Sequence, residues 1–279
     1  MTHPLHKFII LCNTDAETEV MRGLGEAATT HNKTTNTSET VFRPLEGVEV
    51  EFDAIYNAQL ASWKRHELAV DIPTCAFLFY RGVSSTAKSE AALISRHMRS
   101  APAHVFLNEF DDAGKPIRFE PELVNFHLNR AAVGLCLSAE EGAMFASAEY
   151  QLAGLPVVTT PNRGGRDLYV DRDFCLKIRD DPREIAAAVA ALKQRRIPRA
   201  VVRERVLRLI TSERRKFIDI VNAIYREEKI PNEFLGFWPL TRPVIMRWQP
   251  RQTARRMILR GSVDDIILPE PRTGTGRSG

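Results

Sequence analysis

Short β-branched or aromatic segments alternate with helix-like segments along most of this chain. The successive pairs are KFIILC with DAETEVMRGL, VEVEFDAIYN with KRHELAV, TCAFLFYR with SEAALISRHM, AHVFLNEF with PELVNFHLNR, and AAVGLCLS with the helix after Glu141. The alternation continues through PVVTT, DFCLKI and PREIAAAVAALKQ. Strands alternating with helices of this length require a parallel sheet that is covered on both faces. We therefore predict an α/β fold with a doubly wound parallel sheet.

The junctions between strands and helices are the places where such a sheet binds ligands. In open parallel sheets, ligands lie outside the carboxyl ends of the strands, where loops lead into helix N-termini. Two junctions are rich in polar groups. YNAQLASWKRHELA follows the strand near Ile55, and SAEEGAMF follows the strand near Leu135. These two segments are therefore the first candidates for a binding site.

Composition predicts a globular protein and argues against several other classes. The chain has 279 residues, 44% of them hydrophobic, which is enough for one large domain or a domain with extensions. It has neither a run of about 20 apolar residues nor a signal peptide, so we predict a cytoplasmic protein, with peripheral contact at the inner face of a membrane as an addition. The cysteines are far apart and there is no H-E-x-x-H pattern, so neither disulfides nor a metal site is predicted.

Arginine is frequent from Arg195 onward, and the net charge of the chain is +4. Exposed helix faces commonly carry such charge, and this is our first interpretation. The alternative is attraction to phosphates or to an anionic membrane surface, with Trp238 and Trp248 at the interface. The sequence has no RRM, KH or helix-turn-helix pattern, so we predict no nucleic-acid partner.

Changes in composition divide the chain into four segments. Residues 1–46 contain one strand-helix-strand pattern and a polar, turn-rich connector, THNKTTNTSETVFRPLEG. Residues 47–197 carry the repeated alternation, and residues 198–230 predict a helix. Residues 231–279 form a basic tail rich in Pro, Trp and Arg, whose end is predicted to be disordered.

The segment LSAEEGAMFASAEYQLAG has the features of an anion site. Ser138 suits a strand end and a helix cap, and Gly142 allows close approach of a ligand to the backbone. We expect the amides of Ala143, Met144 and Phe145 to lie unpaired in the first helical turn, where the helix dipole favours an anion. On one continuous helix, Glu149 would lie about 12 Å along the axis from Glu141. A nucleoside diphosphate sugar has this length.

The pattern E-x7-E, followed by a small-residue helix and GLPVV, resembles the C-terminal, donor-binding domain of retaining GT-B-fold glycosyltransferases of family 4, the glycosyl transferases group 1 type. NRAAVGLCLSAEEG and PVVTTPNRGGRDLYV are similar to the segments that flank this motif in the family. THNKTTNTSETVFRPL is similar to the interdomain stretch. The resemblance covers roughly residues 32–191 and implies a Rossmann-like donor lobe.

The resemblance also implies roles for particular residues. Glu149 would bind the ribose hydroxyls of the donor nucleotide, and Glu141 would hold a hydroxyl of the transferred sugar. Lys64 takes the place of the diphosphate-binding lysine, and the amides after Gly142 would face the donor phosphate and sugar. Further candidates are Asn57 on a cleft loop and Arg65, which would substitute for the arginine that the family has at the position of Ala58. Catalysis would require no metal and no cofactor beyond the donor substrate itself.

The chain departs from the family pattern mainly at its N-terminus. A complete enzyme of this fold has two Rossmann-like lobes, whereas residues 7–30 provide only a remnant β-α-β segment of the first. The main hypothesis is a glycosyltransferase acting with retention on an unknown acceptor: a glycan, a lipid or a small molecule. The alternative is an inactive or partner-dependent nucleotide-sugar-binding subunit, with another protein supplying the acceptor lobe. A sugar-nucleotide epimerase and, in the absence of G-x-G-x-x-G, a dehydrogenase are less favoured.

Overall fold

The structure is a computed structural model that describes residues 8–82, 85–231 and 234. Within these described residues, eight strands form two parallel sheets. The strands are β1 (Ile10–Cys12), β2 (Ala28–Thr30), β3 (Phe52–Asn57), β4 (Cys75–Leu78), β5 (Val105–Phe106), β6 (Ala131–Cys136), β7 (Val157–Thr159) and β8 (Cys175–Lys177). β1 and β2 pair with each other, and the other six form a sheet in the order β5-β4-β3-β6-β7-β8. The predicted α/β fold with a doubly wound parallel sheet is confirmed.

Six α-helices accompany the strands in the described ranges: α1 (Asp15–Gly23), α2 (Ala87–Ser100), α3 (Pro121–Asn129), α4 (Phe145–Leu152), α5 (Pro182–Arg195) and α6 (Arg199–Glu227). Local chemistry explains several helix starts. The Thr14 side chain caps α1, and Thr86 forms a capping box with Ser89 at α2. Asp181 is the N-cap of α5 and accepts hydrogen bonds from the amides of Arg183 and Glu184. Pro182, which has no amide hydrogen, occupies the first helical position. These caps satisfy amides that lack a partner within the helix.

The core surrounds β3 and β6, the two strands in the middle of the larger sheet. Ala54 and Ile55 of β3 pair with Val133 and Gly134 of β6, and Ala54, Ile55 and Val133 are fully buried. A β-carbon on Gly134 would lie 2.5 Å from the ring of Tyr150. Glycine at this position therefore lets α4 pack closely on the sheet.

The chain reverses its direction of progress through the sheet at β3 and β6. From β3 it moves outward through β4 to β5, and it then returns to β6 on the other side of β3. This is the topological switch point, where the loops after the two strands diverge and leave a crevice. The two segments that the sequence favours as a binding site follow these two strands.

The segment KRHELAV does not form the helix that its position in the alternation predicts. It lies in two short 3-10 turns, Ser62–Lys64 and His66–Ala69, on either side of Arg65. Arg65 adopts the left-handed backbone conformation with φ of 53°. A left-handed residue cannot continue a right-handed helix, so the chain turns here instead.

The N-terminal residues form the predicted β-α-β segment, in which β1 and β2 pair in parallel with α1 between them. The connector that follows is polar, but it is not fully exposed. Asn32, Thr34 and Thr35 are buried, and a 3-10 turn covers Lys33–Asn36. Much of this polarity therefore satisfies hydrogen bonds inside the protein rather than facing water.

Arg205, Arg208 and Arg215 of α6 are exposed, as the interpretation of a solvated charged face predicts. Three other arginines of the same helix are structural, and for these the interpretation is wrong. Arg199 donates to the carbonyl oxygens of Asn129, Ala131 and Ala153, and Arg203 donates to those of Phe42, Leu152 and Glu39. Arg214 donates to the carbonyl oxygens of Thr35 and Thr37 and to the Glu39 carboxylate. The prediction for the basic tail, including Trp238 and Trp248, lies outside the described residues.

Candidate active site

A cleft with a volume of about 700 Å³ opens beside the switch point. Its walls come from the loops after β3, β4, β6 and β7 and from the start of α1. The lining residues are Glu17, Gln59, Trp63, Lys64, Tyr80, Glu140, Glu141, Gly142, Arg163 and Gly164. The cleft therefore brings together Lys64, Glu141 and Gly142, three of the residues that the sequence singles out. It is also large enough for a small-molecule substrate.

Lys64, Glu141 and Ser138 form one hydrogen-bonded cluster in the wall of the cleft. Lys64 Nζ forms an ion pair with Glu141 Oε1, and these side chains are only 11% and 12% exposed. Ser138 Oγ donates to the same carboxylate oxygen over 2.5 Å. No hydrogen bond from a described residue reaches Glu141 Oε2. One oxygen of Glu141 is thus fixed by the protein, and the other remains available to a ligand.

The sequence predicts that Ser138 caps the helix, but in the structure it does not. It is also not exposed to the cleft. Its residue is fully buried, and its hydroxyl is committed to Glu141. α4 begins at Phe145, and its N-cap is Met144, whose side chain makes no capping bond. Ser138 therefore orients Glu141 instead of contacting a ligand directly.

The start of α4 corrects two further expectations. Ala143 and Met144 precede the helix, so only Phe145 of the three predicted amides belongs to its first turn. Glu141 lies in the loop before the helix, so the rise of one continuous helix does not set its separation from Glu149. The reason is a bend after Glu141, where the loop pairs with the segment after β7.

This pairing depends on Gly164 and Gly165. The Glu141 amide donates to the carbonyl of Arg163 over 3.0 Å, and the Gly165 amide donates to that of Gly142 over 3.0 Å. Gly164 has φ of 125°, and a β-carbon there would overlap the carbonyl oxygen of Glu141. The paired glycines allow the two backbones to approach and so fix the loop that carries Glu141.

Hydrogen bonds also hold the backbone around Lys64. Tyr56, fully buried in β3, donates its hydroxyl to the carbonyl of Lys64 over 2.7 Å. Arg65 donates to the Leu137 carbonyl, to Thr160 and to Asp180. The guanidinium of Arg65 thus joins the loops after β3, β6, β7 and β8, and it is occupied by protein groups rather than directed at a ligand.

Glu149 lies on α4 against the end of β3. Asn57 Nδ2 donates to Glu149 Oε2 over 3.1 Å, and the Asn57 amide donates to the Tyr150 hydroxyl over 2.6 Å. Enclosure by the protein raises the pKa of Glu149 to about 7, while the Asn57 hydrogen bond and the charge of Arg118 act in the opposite direction. Glu149 is therefore poised to change its charge near neutral pH.

Several residues around the cleft were not predicted. Arg118 places its guanidinium 5.8 Å from the ring centroid of Tyr80 and acts electrostatically on Glu149. Tyr80 follows the apolar run TCAFLF directly, so its position near a strand end could have been predicted from the sequence. Glu17 comes from the N-terminal segment, and Arg118 from a long loop before α3; nothing in their sequence context indicates the cleft.

Within the described ranges, no helix is both long and apolar enough to cross a bilayer. The same part of the chain holds no group of three or more His, Cys, Asp or Glu side chains placed to share a metal ion. The four cysteines are free and buried in the structure.

The chain matches no protein-family model, and its sequence matches no curated protein. Its structure, however, is similar to solved glycosyltransferases. Sucrose-phosphate synthase from Thermosynechococcus elongatus aligns over 80% of this chain and 58% of its own, with 14% identity and a TM-score of 0.57. The pneumococcal O-GlcNAc transferase GtfA, solved with UDP and GlcNAc, aligns over 81% and 45%, with 15% identity and a TM-score of 0.53.

A third similar structure is the C-terminal domain of a glycosyl transferase group 1 family protein, LpcC, from Francisella tularensis. It aligns over 63% of this chain and 97% of its own, with 14% identity and a TM-score of 0.47. The chain has the Rossmann-like fold of the GT-B C-terminal domain. It spans about half the length of the two larger transferases.

Proposed function

We propose that this protein binds a nucleoside diphosphate sugar in the cleft and transfers the sugar to an acceptor with retention of configuration. The observation that carries the proposal is the Lys64–Glu141 pair beside the switch point of a GT-B-type sheet. A partly buried cation suits a diphosphate, and a carboxylate with one free oxygen suits a sugar hydroxyl.

Each of the described groups binds a different part of the donor. Lys64 binds the diphosphate, and the amides after Gly142 face the phosphate and sugar. Glu141 accepts a hydrogen bond from a sugar hydroxyl through Oε2, while Glu149, held by Asn57, accepts from the ribose hydroxyls. Arg65 is left out of this assignment because protein groups occupy its guanidinium.

The chemistry that follows is group transfer by positioning and charge stabilisation. The bond between the anomeric carbon and the phosphate oxygen breaks, the acceptor oxygen bonds to that carbon, and the proton of the acceptor hydroxyl passes to an oxygen of the departing diphosphate. Negative charge then develops on the departing nucleoside diphosphate. Lys64 is a nearby cation that stabilises this charge, and its partial burial strengthens the interaction. We propose that this reaction requires no metal ion.

The proposal is tested first by calorimetric titration of the purified chain with UDP, GDP, UDP-glucose and GDP-mannose. We expect saturable binding of at least one of these ligands. Lys64→Ala and Glu149→Ala are expected to weaken it at least about tenfold, which corresponds to about 1.4 kcal/mol. The matched controls are Lys216→Ala and Glu204→Ala, two exposed positions on α6 that do not line the cleft.

The outcomes separate the two hypotheses. Binding followed by transfer to an acceptor, with the anomeric configuration of the product read by NMR, supports the retaining transferase. Binding without transfer by the chain alone favours the partner-dependent subunit, in which a second chain supplies the acceptor lobe. If none of the four ligands binds to the intact chain, the proposed donor site is wrong.

A further inference from the structure

Arg166 is a buried cation directly behind the cleft. It is 1% exposed. Its Nη1 atom donates to the carbonyl and the hydroxyl of Ser138, at 2.9 and 3.2 Å, and its Nη2 atom donates to the carbonyl of Thr160 at 2.6 Å. Its Nε atom makes no hydrogen bond. Among the described residues, no carboxylate forms an ion pair with Arg166.

This arrangement is a poor way to stabilise a fold. A buried charge is costly to remove from water unless a partner of opposite charge compensates it. The carboxylate of Glu141 is separated from Arg166 by a single hydroxyl, that of Ser138. The guanidinium therefore faces the active-site carboxylate through one intervening group.

Ser138 transmits the orientation of Arg166 to Glu141. A serine hydroxyl has one hydrogen to donate and lone pairs with which to accept. Because Arg166 donates to Ser138 Oγ, the hydroxyl hydrogen is free to point at Glu141, where the contact is 2.5 Å. Arg166 thus fixes the direction of the hydrogen bond that holds Oε1 and turns Oε2 toward the cleft.

Once a donor is bound, Lys64 has two anionic partners, the Glu141 carboxylate and the donor diphosphate. In the structure it is paired with Glu141, whereas the proposed function requires it to bind the donor diphosphate. A diphosphate brings negative charge close to Glu141, and attraction of Lys64 to the phosphates weakens the compensation of that carboxylate. A second cation that cannot move to the ligand would still compensate the Glu141 carboxylate and hold it in place.

We propose that Arg166 is this fixed counter-charge. Acting through Ser138, it holds the Glu141 carboxylate aimed at the sugar while Lys64 turns to the diphosphate. Arg166 is therefore a positioning residue, because it does not line the cleft. This inference rests on the proposed donor site for its effect on binding, but the coupling between Arg166 and Glu141 also exists without ligand.

The ligand-free test is a set of thermal unfolding measurements on the full chain. Lys64→Met leaves Arg166 as the remaining counter-charge of Glu141. The double variant Lys64→Met/Arg166→Gln is expected to lose about 4 °C more in Tm than the sum of the losses of the two single variants. Adding Glu141→Gln as a third change should remove this excess. Additive losses would show that Arg166 does not compensate Glu141, and they would overturn the inference whether or not a donor binds.

The binding test uses UDP and UDP-glucose, or GDP and GDP-mannose if the guanine nucleotides bind. Arg166→Gln and Ser138→Ala are each expected to weaken the sugar conjugate about tenfold and the free nucleoside diphosphate less than twofold. In a Glu141→Gln background, Arg166→Gln should have no further effect. Equal loss for both ligands would overturn the inference and leave the donor site standing.

Arg203→Gln is the matched control. Arg203 also donates to backbone carbonyls, those of Phe42, Leu152 and Glu39, but it does not contact Ser138 or Glu141. It is expected to lower Tm without changing the ratio of the two dissociation constants. A change in that ratio in Arg203→Gln equal to the change in Arg166→Gln would mean that general loosening explains both, which would also overturn the inference.

Discussion

Gly164 lies so close to the carbonyl oxygen of Glu141 that no residue with a side chain fits at position 164. A β-carbon at this position would overlap that oxygen, and the backbone of Gly164, at φ of 125°, is in a region that residues with a side chain rarely adopt. The contact joins the loop after β7 to the loop after β6. The position of Glu141 in the cleft is therefore set by a residue 23 positions further along the chain, since 164 − 141 = 23.

Gly164→Ala is expected to separate these two loops. The overlap and the unfavourable φ act together, and we expect the free energy of unfolding to fall by about 3 kcal/mol. Donor affinity should fall more than about tenfold, because Glu141 and the amides after Gly142 move with the loop. Urea unfolding and calorimetric titration measure the two effects.

Gly47→Ala provides the control for the first prediction. Gly47 also has a positive φ, of 74°, but a β-carbon there would meet no atom within 4 Å. Its replacement should therefore cost only the backbone term, about 1 kcal/mol, and leave donor binding unchanged. Similar losses at the two glycines would contradict the assignment of the close contact as the dominant cost.

Glu149 predicts a pH dependence for both stability and binding. Its pKa in the folded protein is raised to about 7 from an ordinary value of 4.5. Stability from the protonated form is therefore fully present below pH 4.5 and is lost as the pH rises through 7. The loss is on the order of 3 kcal/mol, and Glu149→Gln should abolish this part of the pH dependence in urea unfolding.

Donor binding should respond to Glu149 in the opposite direction. The ionised carboxylate is the better acceptor for ribose hydroxyls, so affinity for the nucleoside diphosphate should increase as the pH rises through about 7. Glu149→Gln should bind more weakly and lose this component of the pH profile. An affinity profile that is unchanged in the variant would show that another group controls the titration.

The alternation of strands and helices was sufficient to predict the fold class and most elements, because each apolar run is long enough to be one buried strand. It failed at KRHELAV, where the left-handed conformation of Arg65 interrupts a helical pattern that the residue types alone favour. It also placed the start of α4 too early. The contact of Gly164 with Glu141 causes that shift, and it is a long-range interaction that local propensity does not contain.

Part of the lining of the cleft was predicted for a similar reason. Lys64 and Glu141 follow strand ends in the sequence, so a sheet of this type brings them to one edge, whereas Glu149 lies on the helix after the second strand. Arg166 and Glu17 were not predicted, since the first is buried behind the cleft and the second comes from a different segment. The role predicted for Ser138 was wrong. A serine beside a helix is usually a cap, whereas here its hydroxyl donates to a carboxylate.

His66 predicts instability in acid. It is 1% exposed, both of its ring nitrogens lack hydrogen-bond partners, and its ring packs against Tyr56 and Phe77. Burial lowers its pKa to about 3, from an ordinary value of 6.5. Unfolded His66 takes up a proton below pH 6.5 while the folded residue remains neutral, so its contribution to stability is lost as the pH falls from 6.5 toward 3.

His66→Leu should reduce this acid sensitivity. An apolar side chain of similar size keeps the packing and removes both the unpaired nitrogens and the titration. We expect the difference in unfolding free energy between pH 8 and pH 5 to shrink by about 1–2 kcal/mol. Because His97 is also buried, with its pKa lowered to about 4, part of the sensitivity should remain. An unaltered pH 8 to pH 5 difference would assign it to other groups.

Arg214 connects α6 to the connector that precedes β3. Its guanidinium donates to the carbonyls of Thr35 and Thr37 and forms an ion pair with Glu39, and its side chain is 7% exposed. Arg214→Met removes these donors and leaves the two carbonyls and the carboxylate without them. We expect a loss of about 2–3 kcal/mol, because two buried carbonyls lose their donor while the Glu39 side chain, which is 36% exposed, is partly solvated.

The neighbouring arginine makes this last prediction specific. Arg215 is 64% exposed and pairs only with Asp219, four residues along the same helix, among the ion pairs of the described residues. Arg215→Met should therefore change stability by less than about 0.5 kcal/mol. Hydrogen exchange should increase in residues 31–46 of Arg214→Met and not of Arg215→Met, because the connector is held by Arg214. Since Asn32 in that connector donates to the carbonyl of Gly165, loosening it should also weaken donor binding in Arg214→Met.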